Sequence, residues 1–153
     1  MSNKRTIKLV RPGEGKTVTI NADQITFKIT VDENHPEEAS FVEIMTPPGG
    51  GAPLHRHASE TFYVYEGEFE FFGAKPEDTI AAATGDFICI PPGVPHGYTN
   101  VGTTTGNLLI VTVSSWFQNF LEEIAAIEGS LDMETMTLIG QKHGIEIIGP
   151  RPT

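Results

Sequence analysis

From about Thr6 to Val113 the chain alternates short runs rich in Val, Ile, Phe, Thr and Tyr with clusters of Gly, Pro, Asn and Asp, the signature of strands joined by turns. The runs are TIKLV, TVTI, ITFKITV and SFVEIMT, then the segment PLHRHASETFYVYEG, then EFEFF, TIAAAT, DFICIP, HGYTNV and NLLIVTV. No helical period separates them, so βαβ units are excluded. The expected architecture is all-β, with an antiparallel sheet that closes on itself as a sandwich or barrel.

The period changes at Ser114. SSWFQNFLEEIAAIEG places Trp116, Phe117, Phe120, Leu121, Ile124 and Ala125 at helical spacing, with Ser114 or Ser115 available as a cap. A second helical piece runs from about Asp132 to Lys142, with Gly144 placed to be the left-handed residue past its end. Lys142 and His143 in the last turn suit the negative end of the helix dipole. The division expected is a β domain over 1–113 and a helical extension over 114–153, packed on that domain or on a second subunit.

At 153 residues the chain is the size of one ordinary domain, and 39% hydrophobic with 20% charged residues is the composition of a folded soluble protein. No apolar run approaches the roughly 20 residues a membrane span needs. The start, MSNKRTIKLVRPGEG, has basic residues but no apolar core or small-residue cleavage site, so a cytoplasmic location is the default expectation. A formal charge of −10 argues against nucleic acid and anionic membrane as partners, since both would be repelled. Cys89 is the only cysteine, which excludes an internal disulfide and any CxxC metal or redox motif. Metal binding, if the chain does it, rests on His and carboxylate.

Of five histidines, His55 and His57 stand one residue apart before an apolar run. In a strand, residues two apart project from one face, so two imidazoles can address one point. The alternative is a pair of surface or core-lining histidines in a loop rich in Gly and Pro. Downstream, GDFICIPPGVPHGYTN carries His96 at the start of another strand.

Together these segments resemble the two signature motifs of the cupin superfamily. Gly85, Pro91, Gly93, His96 and Asn100 meet every named position of the second motif. Gly49, His55, His57, Glu60 and Gly67 meet the first with one departure, because only Ala58 and Ser59 separate His57 from Glu60. With that offset a straight strand turns Glu60 away from the face of His57, so a bulge or tight bend at Ala58 and Ser59 is expected. The resemblance implies a jelly-roll barrel in which His55, His57, Glu60 and His96 bind one divalent transition metal ion, with Glu60 also able to take a substrate proton. Three imidazoles and a carboxylate suit Fe, Mn, Ni, Co, Cu or Zn, while Mg and Ca prefer oxygen cages.

Gly67 is expected to turn the chain between paired strands, PPGVP to deliver His96 rigidly, and Asn100 to fix a loop by hydrogen bonding. Alternation places Tyr98, Phe62, Val64, Phe87, Cys89 and Met45 inward. Of these, Tyr98, Phe62, Met45 and Phe87 are the candidates for substrate contact, and Cys89 reads as a buried, inert thiol. Tyr63 and Tyr65 should face the other side. An apolar pocket with a metal at its floor favours a small hydrophobic or aromatic substrate. The resemblance, which extends to bacterial quercetin-dioxygenase-like cupins, implies a metal-dependent dioxygenase and a homodimer. A metal-dependent isomerase, decarboxylase or lyase, and a non-catalytic ligand-binding cupin, are the alternatives.

Overall fold

The computed structural model of the chain describes residues 5–152; residues 1–4, part of the stretch read for a leader, and residue 153 lie outside the described residues. Strands β1 (Lys16–Ile20), β2 (Asp23–Ile29), β3 (Ala39–Thr46), β4 (Gly51–Arg56), β5 (Glu60–Glu66) and β6 (Glu68–Phe72) come first. They are followed by β7 (Ile80–Ala83), β8 (Phe87–Ile90), β9 (His96–Asn100) and β10 (Gly106–Val113). Helices α1 (Trp116–Ala125) and α2 (Met133–Lys142) and a last strand, β11 (Glu146–Gly149), complete the chain.

Two antiparallel sheets result, in the orders β1-β2-β3-β10-β5-β8 and β11-β4-β9-β6-β7. The inner faces carry the alternation predicted from sequence. Ser40, Val42, Ile44 and Thr46 of β3 point inward, as do Leu108, Ile110 and Thr112 of β10, and they meet Phe69, Phe71 and Tyr98 of the second sheet. β1 and β2 form a hairpin whose two-residue turn begins at Asn21, with φ 54°, a conformation Asn tolerates better than most residues.

Four expectations need correction. The sheets do not close into a barrel: the first ends at β1 and β8, the second at β11 and β7. On one side α1 packs on β1 and α2 on β11, so the helices hold the two sheet edges apart. TIKLV forms no strand; Ile7 is fully exposed and Leu9 is 70% exposed, because an alternating run needs a sheet edge to pair with and none among the described residues meets it. Gly67 does not join paired strands. β5 and β6 lie in different sheets, and Gly67, at φ 110° with Gly106 close by, takes the chain from one to the other. Finally, GIEIIGP holds the unforeseen strand β11, which pairs with β4 through Ile147 and His55.

The helices follow their sequence signals more closely. Ser115 takes the N-cap position of α1 without a side-chain cap bond, whereas Asp132 caps α2 by accepting from the Thr135 amide at 2.7 Å. Gly144, at φ 75°, is the left-handed residue past α2. No helix among the described residues is long and apolar enough to cross a membrane.

Candidate metal centre

His55 stands near the end of β4, His57 just beyond it, Glu60 opens β5 and His96 opens β9. The bend expected at Ala58 and Ser59 is more than a bulge. β4 belongs to one sheet and β5 to the other, so residues 57–59 form a corner between sheets, and its change of direction lets an offset of three turn Glu60 back toward His57. The PPGVP turn is tied to this corner by the Gly93 amide, which donates to the His57 carbonyl at 2.8 Å. Asn100 binds its loop as expected: its amide donates to the carbonyls of Thr46 and Thr104, and its side-chain oxygen accepts from Gly102.

The four side chains converge. One ligand atom from each of His55, His57, Glu60 and His96 lies within 4.8 Å of all the others. The three ring centroids are 4.4–5.0 Å apart. His57, Glu60 and His96 are buried, and His55 is mostly so.

The hydrogen bonds fix how each ring is used. Nδ1 of His55 lies 2.7 Å from the Pro53 carbonyl, Nδ1 of His57 2.6 Å from that of Ala58, and Nδ1 of His96 2.8 Å from that of Val94. A carbonyl only accepts, so each Nδ1 carries a proton and each ring, when neutral, turns an Nε2 lone pair to the centre. There His57 Nε2 and His96 Nε2 stand 3.2 and 3.1 Å from Glu60 Oε2. His57 Nε2 is buried at that distance yet lacks the alignment of a hydrogen bond, leaving it an orphan. Lone pairs facing a carboxylate repel one another until a cation, proton or metal, sits between them. The donor set therefore fits one divalent ion, whose bonds of about 2.1 Å would place ligand atoms at most about 4.2 Å apart.

Electrostatics follow the same geometry. Burial, then the charge of His96, pushes His55 down to about 4, so it stays neutral at physiological pH. Burial also acts to lower His57, but the Glu60 carboxylate beside it favours the charged ring and the net shift is upward. Burial alone would raise Glu60; His57 and His96, when protonated, reverse this and hold it at about 2, so Glu60 is an anion.

The ligands line a cavity of about 110 Å³ between the sheets. Phe62 and Tyr98 line it as expected, and Phe117, Phe120, Leu121 and Ile124 of α1 form an apolar wall that sequence reasoning had assigned only to packing. Trp116 was also missed: its ring lies 4.6 Å from that of His57. The helical spacing of these residues marked a buried face without saying what it covered.

Met45, Phe87 and Cys89 are not in the cavity. In β3 the even-numbered residues from Ser40 to Thr46 face inward and Met45 is 44% exposed. In β8 Ile88 and Ile90 face inward, so Phe87 is 75% exposed, packing on Tyr63 across the pair, and Cys89 is exposed as well. The expectation that Phe87 and Cys89 face inward put that strand one residue out of phase, which moves every side chain to the other face. His143 pairs with Glu123 at 2.6 Å, and His35 lies 3.6 Å from Glu37 on the surface.

Residues 42–112 match the family model described as a cupin domain. That stretch runs through both facing antiparallel sheets and carries all four residues of the His/Glu centre. Among solved structures the chain is similar to an RmlC-like cupin from Shewanella frigidimarina, at 22% identity over 75% of this chain and 96% of that one, with a TM-score of 0.61. The polyketide cyclase RemF from Streptomyces resistomycificus matches at 22% identity over 69% and 78%, TM-score 0.60. A predicted oxalate decarboxylase from Thermotoga maritima matches at 22% over 70% and 99%, TM-score 0.57. At such identity these establish the fold alone. No curated protein matches the chain.

Proposed function

We propose that the protein is a metal-dependent dioxygenase acting on a small aromatic or enol-type substrate, a quercetinase-like reaction on a molecule of about one ring. The observation that supports it is the set of Nε2 lone pairs turned toward the Glu60 carboxylate at the wall of an apolar cavity. Held by His55, His57, Glu60 and His96, a divalent Fe, Mn, Ni, Co, Cu or Zn ion would supply a Lewis acid with open positions and, where redox-active, access to dioxygen.

This chain's own residues have three tasks. Glu60 is placed to accept the proton of an acidic substrate hydroxyl, which leaves the substrate electron-rich. Phe62 and the aromatic and aliphatic face of α1 exclude water, so that anion meets dioxygen before a solvent proton. Tyr98, whose burial pushes its hydroxyl well above the ordinary range, stays protonated and can donate to a substrate oxygen. Both atoms of dioxygen enter the product as a carbon–carbon bond breaks, so no external reductant is needed. The volume favours a ligand on the scale of benzene, which an apolar cavity of about 150 Å³ accommodates, over a three-ring flavonol.

The test is oxygen uptake by protein loaded with each metal in turn, screened against catechols and 1,3-diketones. One dioxygen consumed per substrate supports the proposal; no uptake with any metal overturns it. The likeness to a polyketide cyclase and a predicted oxalate decarboxylase favours one further reading, in which the same centre stabilises an enolate without oxygen. Equal turnover in anaerobic buffer would select that reading.

A further inference from the structure

The cavity has a second carboxylate, which the proposed chemistry does not use. Asp23 opens β2, and its side chain lines the cavity beside Asn21, Gly51 and Tyr98. It is remote from Glu60 in the sheet. β2 is the third neighbour of β5, through β3 and β10; its Gln24 aligns with Met45 and so with Asn107, whereas Glu60 aligns with Thr112 at the other end of β10. Tyr98 lines the same cavity and feels the charge of both Asp23 and Glu60. The Thr46 hydroxyl is also buried here, close enough to both Asp23 and Tyr98 to favour their charged forms, though it completes no well-aligned hydrogen bond among the described residues.

A carboxylate in an otherwise apolar wall loses its water on burial and gains from a donor that replaces it. Burial, the first cause, raises Asp23 to about 6 against the opposing influence of Thr46 and Arg151, so near neutral pH it is a carboxylate that burial disfavours. Arg151 supplies one positive charge nearby while its Nη1 donates to the Gly49 carbonyl, which leaves a neutral donor as the complement sought more than a second cation.

We infer that Asp23 is a specificity-determining residue: it selects ligands that carry a neutral hydrogen-bond donor, such as a hydroxyl, at the end opposite the group held at the metal centre. The inference rests on the proposed function for the metal-held end. It narrows the substrate class to single-ring or similarly short molecules with polar groups at both ends and an apolar middle. A site built to hydrogen-bond a hydroxyl rejects the analogue lacking it far more strongly than an apolar pocket rejects a methylene.

The test uses two probes that differ only in a terminal hydroxyl, 4-ethylcatechol and 4-(2-hydroxyethyl)catechol, titrated into the Co(II)-loaded full chain by calorimetry. Wild type is expected to prefer the hydroxyethyl compound by about tenfold or more, consistent with a hydrogen bond to a charged group. Asp23→Ala should erase the preference and Asp23→Asn, which keeps the shape and an acceptor oxygen, should retain part of it. Both variants should keep the cobalt content of wild type, which a merely structural role would not ensure. Equal affinities in wild type, or an unchanged preference in Asp23→Ala, overturn the inference while leaving the proposed function standing. Failure of both catechols to bind Co(II)-loaded wild type overturns the two together.

Discussion

Glu60 and Asp23 are both carboxyls on the wall of one cavity, and their surroundings push them apart. Glu60 faces imidazoles and is held at about 2, whereas Asp23 faces apolar surface and Tyr98 and rises to about 6. A carboxyl raised above its unfolded value of 3.8 opposes folding when ionised. That penalty is fully present above about pH 6, shrinks as pH falls and is gone below about 3.8. Asp23→Asn should therefore unfold at a higher temperature than wild type at pH 8, by about 1–2 kcal/mol of stability once partial exposure is allowed for, and at the same temperature at pH 4. Thermal melts at the two pH values check this, and a variant less stable at pH 8 would contradict it. The gain in stability should accompany a partial loss of ligand discrimination. At this scale the sequence announced the histidines, because a one-residue gap in a strand and a matching second motif are local facts. It could not announce Asp23, whose role depends on strands far away in the chain.

Between elements, the corner at residues 57–59 and the last two strand additions shape the centre. β11 pairs with β4 beside His55, and its ion pair, Arg56 Nε to Glu146 Oε2 at 2.7 Å, is about half exposed at each end. Exposed pairs of this kind contribute under about 1 kcal/mol, so backbone pairing and the contacts of buried Ile145 and partly buried Ile147 hold β11 in place. Gly51 shows how closely β4 meets β9: a Cβ there would lie 1.9 Å from the Tyr98 carbonyl oxygen, at φ 152°. Gly51→Ala should destabilise by about 3 kcal/mol or more, lowering the melting temperature by about 6–12 °C, whereas Gly149→Ala, which meets nothing within 4 Å, should stay within about 0.5 kcal/mol. Equal melts for the two would show that β4 and β9 have room to move apart.

Helix α1 supplies an optical reporter. Trp116 is the single tryptophan and lies 4.6 Å from the His57 ring, so Co(II) or Cu(II) should quench its fluorescence with a one-to-one endpoint. Unchanged emission on loading would place the metal elsewhere. The helices themselves were legible, since a 3.6-residue period survives in ten residues; their role as a cavity wall was not. Strand existence was legible too, but phase failed in β8 and in part of β3. An alternating run has two possible faces, and only the sheet partner chooses between them. The unpaired TIKLV run teaches the same lesson, because its pattern is strand-like and its surroundings offer no edge.

For the whole molecule, the two sheets each bring part of the centre: Glu60 comes from one, His55 and His96 from the other, and His57 from the corner between them. The centre thus exists only when the sheets face each other, so metal binding should stabilise the folded chain in proportion to the logarithm of free metal over its dissociation constant. Closure was the part of the architecture that local patterns left open. Whether a set of strands forms a closed barrel or an open pair of sheets depends on what fills the seam, and here Phe117, Phe120, Leu121 and Ile124 fill it from a helix at the far end of the sequence.

The chemistry follows from that shared centre. The most direct measurement is the metal content of the chain after equilibration with Co(II) and gel filtration, beside the same measurement on His96→Ala, with circular dichroism to verify that both are folded. One metal per wild-type chain, and a loss of at least tenfold in affinity in the variant, is the predicted result. A folded wild type that retains no metal, or a variant that retains as much as wild type, would contradict the convergence of His55, His57, Glu60 and His96 on a single ion.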